Sequence, residues 1–156
     1  MNSAIIIRPF KSEDLTVLVN LFKEAVHTIN IRHYSPEQVA VWTAIDIDRW
    51  QTSLEKNITL IAEVNRIIVG FTDMTREGYL DRLYVHKDYQ ARFVALKLFK
   101  AIEQVARDLG LKKITTDCSI TAKTPAERMG FVVVKEQTVE KRGMMFINYH
   151  MEKKLE

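Results

Sequence analysis

Cysteine is almost missing from this chain, with Cys118 alone among 156 residues. A lone thiol closes no internal disulfide, so packing and hydrogen bonds must hold the fold, and nothing points to an oxidising compartment. Proline and glycine are scarce as well, at three and five residues, which excludes collagen-like and Pro/Gly-rich disordered chains. No apolar run approaches the ~18 residues of a membrane span, and the apolar part of the opening MNSAIIIRPF is too short for a signal peptide. Neither sign of charge dominates. The 23 basic and 20 acidic residues leave +3, with basic clusters at Lys112–Lys113 and Lys153–Lys154. That balance predicts no nucleic-acid partner but suits a polyanionic small molecule. The cytoplasm is the expected compartment, with no membrane partner.

What is present is the composition of a globular protein, 47% hydrophobic and 28% charged, in a chain long enough to bury roughly two-thirds of its unfolded surface. Residues 1–154 read as a single domain, and Leu155–Glu156 read as a cloning scar without functional weight. AIIIRPF (4–10) is a β-branched run ended by Pro9, and Leu15, Leu18, Val19, Phe22 and Val26 follow at helical spacing. In HYSPEQVAVW, Ser35 is the expected N-cap, Pro36 the first helical residue and Gln38 the partner in a capping box. Another short helix runs from about Asp48 to Asn57. TLIAEV (59–64), IIVGFTDMT (67–75) and YLDRLYV (79–85) read as three sequential antiparallel strands. From Ala91, the residues Val94, Leu98, Phe99, Ile102, Val105 and Leu109 recur at helical spacing, and Gly110 stops the run. KKITTDC (112–118) is a strand, and TAKTPAERM (121–129) a short helix with Pro125 in its first turn. FVVVKEQTV (131–139) and MMFINYHMEK (144–153) are the last strands, joined through Arg142–Gly143. The order predicts an α/β domain of the α+β type: a mixed, mostly antiparallel sheet of about seven strands flanked by helices.

That order, with the segments LYVHKDYQARFVALKLFKAIE, SITAKTPAERMGF and EKRGMMFINYHMEK, resembles the GNAT superfamily of acyl-coenzyme-A-dependent N-acyltransferases over nearly the whole chain. It is most similar to an acetyltransferase subgroup with an HYSPEQ-type segment, here His33 to Gln38. The resemblance implies acetyl-CoA as co-substrate, no metal, and central strands splayed where the pantetheine arm enters. In the family the long helix follows Q/R-x-x-G-x-G/A, whose backbone N–H groups hold the pyrophosphate. Gln90 and Ala95 match the ends of that pattern, Phe93 replaces its central glycine, and Ala91 replaces a glycine common in relatives. Gln90, Ala91, Arg92, Phe93, Val94 and Ala95 are thus the implied cradle, with Arg92 offering compensating charge. Unpaired N–H groups exist at a helix start whatever the side chains are. With Phe93 expected in helical φ/ψ, its ring either tucks inward or covers the phosphates, and the lost glycines should firm the helix, at ~1 kcal/mol for each.

Acetyl transfer to an amine needs a base, oxyanion donors and, where the thiolate is assisted, an acid. Strand alternation puts Tyr79, Asp81, Leu83 and Val85 on one face and Leu80, Arg82 and Tyr84 on the other, unless a bulge intervenes. Asp81 is the candidate base or amine anchor, the alternative being an ion pair with Arg82 or another charge. By resemblance, backbone groups around Leu83, Tyr84 and Val85 hold pantetheine and polarise the thioester. Ser119 stands where the family has a pantetheine-contacting asparagine, unless it only caps a helix. Ala126 replaces the family's acid, a tyrosine; Tyr84, Tyr89 and Ser119 are substitutes, and Tyr84 joins Asp81 as the candidate catalytic set. His33, Tyr34 and Trp42, with Asp81, form the candidate acceptor pocket through cation–π contact. The alternative is that Trp42 and Trp50 are core and that His33 and Tyr34 are loop packing. His27, His86 and His150 lack metal-ligand spacing with Cys118, itself expected to be buried and unreactive. Two functions follow. One is an N-acetyltransferase moving acetyl from acetyl-CoA directly to a small-molecule or peptide amine, pairing as a homodimer through strands such as 144–153. The other is a degenerate GNAT-fold binding module, its cofactor site lost through Phe93 and its acid through Ala126.

Overall fold

A computed structural model describes residues 4–91 and 93–156. Strand β1 (Ile5–Pro9) leads into helices α1 (Leu15–Thr28), α2 (Pro36–Thr43) and α3 (Ile47–Lys56). A meander follows, β2 (Ile58–Val64), β3 (Ile67–Met74) and β4 (Tyr79–Val85), and then α4 (Val94–Asp108), β5 (Lys113–Ser119), α5 (Ile120–Arg128), β6 (Val132–Lys141) and β7 (Met144–Lys154). The strands form one seven-stranded sheet in the order β1-β2-β3-β4-β5-β7-β6. Every adjacent pair is antiparallel except β4 and β5. This is the expected architecture. Among the described residues no helix is long and apolar enough to cross a membrane.

Two apolar layers hold the sheet. On one face Leu18 and Phe22 of α1 and Trp50 and Leu54 of α3 pack with Ile61 and Phe71. On the other, Leu98, Phe99 and Ile102 of α4 cover Leu80 and Val85. A Cβ at Gly70 would meet Val94 Cγ1 at 2.9 Å and the Tyr84 carbonyl at 3.1 Å, so glycine lets the start of α4 settle onto β3 and β4. The capping box forms as read: Gln38 N–H donates to Ser35 Oγ at 3.1 Å and Ser35 N–H to Gln38 Oε1 at 2.8 Å. Asp46 caps α3, accepting from the N–H groups of Asp48 and Arg49.

Three local expectations need correction. Helix α4 begins at Val94, and Phe93 is its N-cap, with φ 62° and ψ 15° in the left-handed region rather than the helical one. In β4, Asp73 pairs with Arg82 but Met74 with Leu80, so Asp81 is an extra residue at a bulge. The bulge puts Leu80 on the α4 face together with Leu83 and Val85, while Tyr84 faces α1. Pro125 lies beyond the first turn of α5, which starts at Ile120; its missing N–H leaves the Thr121 carbonyl without the usual helical donor.

Candidate functional site

Strands β4 and β5 run parallel and pair only at Tyr79↔Thr115 and Leu80↔Thr116. Beyond those pairs the strands part, and a cleft of about 610 Å³ opens between them. One wall is apolar, with Phe22, Trp42 and Phe146. Another comes from α5, with Ala122, Pro125, Ala126 and Met129. Leu83 and Val85 of β4 and Cys118 and Ser119 of β5 lie along the gap, and Asp81, Lys141 and Asn148 border it.

Asp81 is exposed on the bulge, its Oδ2 3.6 Å from Arg82 Nη2. Its charge helps to raise the pKa values of Asp73, Tyr79 and Tyr84 and opposes the lowering at Lys141 that burial causes. Tyr84 is half-buried and lines the cleft, edge-on to Phe22 at 4.9 Å, and desolvation holds its phenol above the ordinary range. At neutral pH it carries its proton. Cys118 is buried and burial pushes its thiol up to about 11, so no activated nucleophile lies there.

The expected cradle is only partly in view. Gln90 lines the cleft, and its Nε2 donates to the Val85 carbonyl at 2.6 Å, tying the loop to the end of β4. Ala95 also lines the cleft. The first intrahelical bond runs from Lys97 N–H to the Phe93 carbonyl, so the N–H groups of Val94, Ala95 and Leu96 have no partner within the helix. Phe93 is 73% exposed, so its ring does not tuck into the core. Arg92 lies outside the described residues. Those N–H groups, without a helical partner, and the open gap beside Leu83 and Val85 fit an elongated thioester carrying phosphates.

Ser119 caps α5, its Oγ accepting from Ala122 N–H at 3.1 Å, and still lines the cleft. Tyr34 lines the cleft and also ties two elements together: its hydroxyl donates to the Ile147 carbonyl at 3.0 Å and accepts from Ile120 N–H at 2.8 Å. Trp42 lines the cleft, edge-on to Tyr34 at 5.2 Å. His33 does not line it; its ring bonds Thr121 Oγ1 at 2.9 Å beside a separate hollow of about 370 Å³. Tyr89 packs on His86, away from the cleft lining.

Sequence reasoning missed a polar wall. Asp117 Oδ2 accepts from Tyr79 Oη at 2.9 Å, and its Oδ1 meets Gln137 Nε2 at 3.0 Å and His150 Nδ1 at 2.8 Å. Tyr79 and Asp117 both line the cleft, as does Asn148, whose buried Oδ1 has no partner among the described residues. Period-two alternation in KKITTDC already sets Asp117 apart from the buried Ile114, Thr116 and Cys118.

The acetyltransferase (GNAT) domain model matches residues 30–153. This chain belongs to the GNAT acetyltransferase family. The GNAT chain is 39% identical over 145 residues to the uncharacterized N-acetyltransferase YafP of Escherichia coli (strain K12), covering 93% of each protein. It superposes on a GCN5-related N-acetyltransferase from Rhodopseudomonas palustris with a TM-score of 0.94, at 31% identity and 99% coverage of both chains. The PaiA N-acetyltransferase of Thermoplasma acidophilum, solved with coenzyme A, shares the fold at a TM-score of 0.81 and 19% identity, over 97% of this chain and 99% of that one. The alternative of a degenerate binding module finds no support among these relatives.

Proposed function

We propose that this GNAT enzyme transfers acetyl from acetyl-CoA directly to an amine of a small molecule or peptide. The observation that carries the reading is the gap between β4 and β5, which is lined by Ala95 at the start of α4 and by a carboxylate on a bulge, Asp81. Acetyl-CoA supplies an activated thioester. The cradle of Gln90, Ala91, Phe93, Val94 and Ala95 holds the pyrophosphate, joined by Arg92, and backbone groups of Leu83, Tyr84 and Val85, with Ser119, hold the pantetheine arm. Asp81 accepts the amine proton as the new C–N bond forms and the C–S bond breaks, leaving an amide and the CoA thiolate; solvent then takes the proton from Asp81 and supplies one to the thiolate.

Ala126 brings no hydroxyl to the cleft. Tyr84 keeps its proton and is proposed to donate a hydrogen bond toward the departing sulfur. A thiol of ordinary pKa near ~8.5 also leaves without full protonation. Trp42 shapes the acceptor side, where Tyr34 and His33 act through packing.

The test is free-thiol release from acetyl-CoA across a panel of amines, amino acids and peptides. Asp81→Asn should lose roughly 10²–10⁴ in kcat/KM while keeping the thermal shift that acetyl-CoA gives the parent. An active enzyme after Asp81→Asn overturns the role of Asp81, and no release with any acceptor overturns the activity.

A further inference from the structure

The buried ion pair behind the cleft is not used by acetyl transfer. Asp73 on β3 is fully buried; its Oδ2 accepts from Arg82 Nη1 at 2.6 Å and from Asn57 Nδ2 at 3.0 Å, and its Oδ1 has no partner among the described residues. Arg82 divides its guanidinium. Nη1 serves Asp73, Nη2 donates to Ser53 Oγ at 2.7 Å, and the group lies 4.7 Å above the Trp50 ring. Asp81 Oδ2 stands 3.6 Å from Nη2, beyond hydrogen-bond distance. A buried ion pair is a weak source of stability because desolvation offsets its attraction. This one instead fixes where the guanidinium sits, inside the reach of Asp81 but short of closing on it.

We infer that Asp73 is a positioning residue for Asp81, holding Arg82 back so that Asp81 keeps an oxygen free for the cleft. The inference rests on the proposed role of Asp81. An arginine in full contact lowers a carboxylate's pKa by ~1–3 units and makes it a poorer base. The ionisable groups in reach are Asp73 on β3, Tyr79, Arg82 and Tyr84 on β4, and Lys141 at the end of β6. The packed helices add Phe22, Trp50 and Ser53, and Asn57 follows α3; none of these titrates. Burial pushes Asp73 up to about 6 against the pull of Arg82. As pH falls through that value the restraint weakens and Arg82 is released toward Asp81.

Carboxyl ¹³C NMR titration of the full chain tests this without knowing the acceptor. In the parent, the Asp81 resonance should show a second inflection at the pH where Asp73 titrates. In Asp73→Asn that inflection should vanish and the Asp81 curve should move to lower pH than in the parent. Ser53→Ala frees Nη2 without touching the buried carboxylate and should move Asp81 the same way by less. An Asp81 curve with one inflection in the parent and no shift in either variant overturns the inference. If Asp73→Asn does not fold, the parent curve and Ser53→Ala decide. Retained transfer in Asp81→Asn would remove the catalytic role yet leave this charge coupling measurable, so the two failures are distinct.

Discussion

Phe93 allows a test in which the expected sign depends on backbone conformation alone. At φ 62° any residue with a Cβ is strained by ~1–2 kcal/mol, whereas glycine takes that conformation freely. Glycine also loses more freedom on folding, by ~0.5–1 kcal/mol. The ring complicates a direct comparison with the parent even though it is 73% exposed. Comparing Phe93→Gly with Phe93→Ala cancels it. Glycine should then be the more stable of the two by ~0.5–1 kcal/mol, the strain relieved less the added entropy. At Ala95, inside α4, Ala→Gly should cost ~1 kcal/mol. In urea melts the two Gly–Ala differences should therefore have opposite signs, with Tm differences of ~2–4 °C per kcal/mol. Acetyl-CoA should also raise the Tm of Phe93→Gly at least as much as that of the parent, because the N–H row at the start of α4 loses a bulky neighbour. Equal signs at positions 93 and 95 would refute the left-handed N-cap and restore a helix running through Phe93.

Other expectations concern stability and reactivity. Tyr34→Phe strands the Ile120 N–H and the Ile147 carbonyl and should cost ~1–3 kcal/mol in denaturant melts; an unchanged melt would mean that this tie between α5 and β7 is idle. Arg8 donates twice to Asp14, at 2.8 and 2.9 Å, and holds its carboxyl below the ordinary range. Such a group stabilises above its unfolded pKa and loses that contribution as pH falls through its folded one. Asp14→Asn should thus be less stable at pH 7 and converge on the parent in acid, whereas a gap constant with pH contradicts the assignment. Cys118, with its thiol near 11, should be about one part in a thousand thiolate at pH 8, and rapid alkylation by iodoacetamide in the native state would show the cleft to be more open than described.

The fold was legible wherever one local rule decided the outcome. Ser35, Pro36 and Gln38 announced α2, and the 3.6-residue period announced α4 apart from its first turn. The site was less legible because its geometry depends on partners remote in sequence. YLDRLYV alternates cleanly on paper, and only the pairing of Asp73 with Arg82 and Met74 with Leu80 reveals that Asp81 is supernumerary. Asp73 in IIVGFTDMT carries no signal of its own, since its meaning comes from Arg82, Asn57 and Ser53. Apolar spacing from Val94 onward likewise says nothing about the dihedrals of the residue before it.

The departures from local consistency have different sources. Left-handed Asn65 and Arg66, like Arg142 and Gly143, sit in two-residue hairpins whose strand twist favours positive φ, and so need no functional account. Others also lie away from the cleft, as register shifts between Ala62 and Glu63 in the β2–β3 pairing and between Val133 and Lys135 in the β6–β7 pairing; beside the gap sit the bulge at Asp81 next to the last β4–β5 pair, the left-handed Phe93 at the start of α4, the proline within α5, and the Asn148 oxygen, which has no partner among the described residues. Each weakens the element that carries it, by a broken ladder, a strained residue, a lost helix bond or a desolvated acceptor. Those beside the cleft are the ones a site selected for chemistry rather than stability accounts for; in a fold kept only for its surface the same positions would be free to relax toward regular strand and helix.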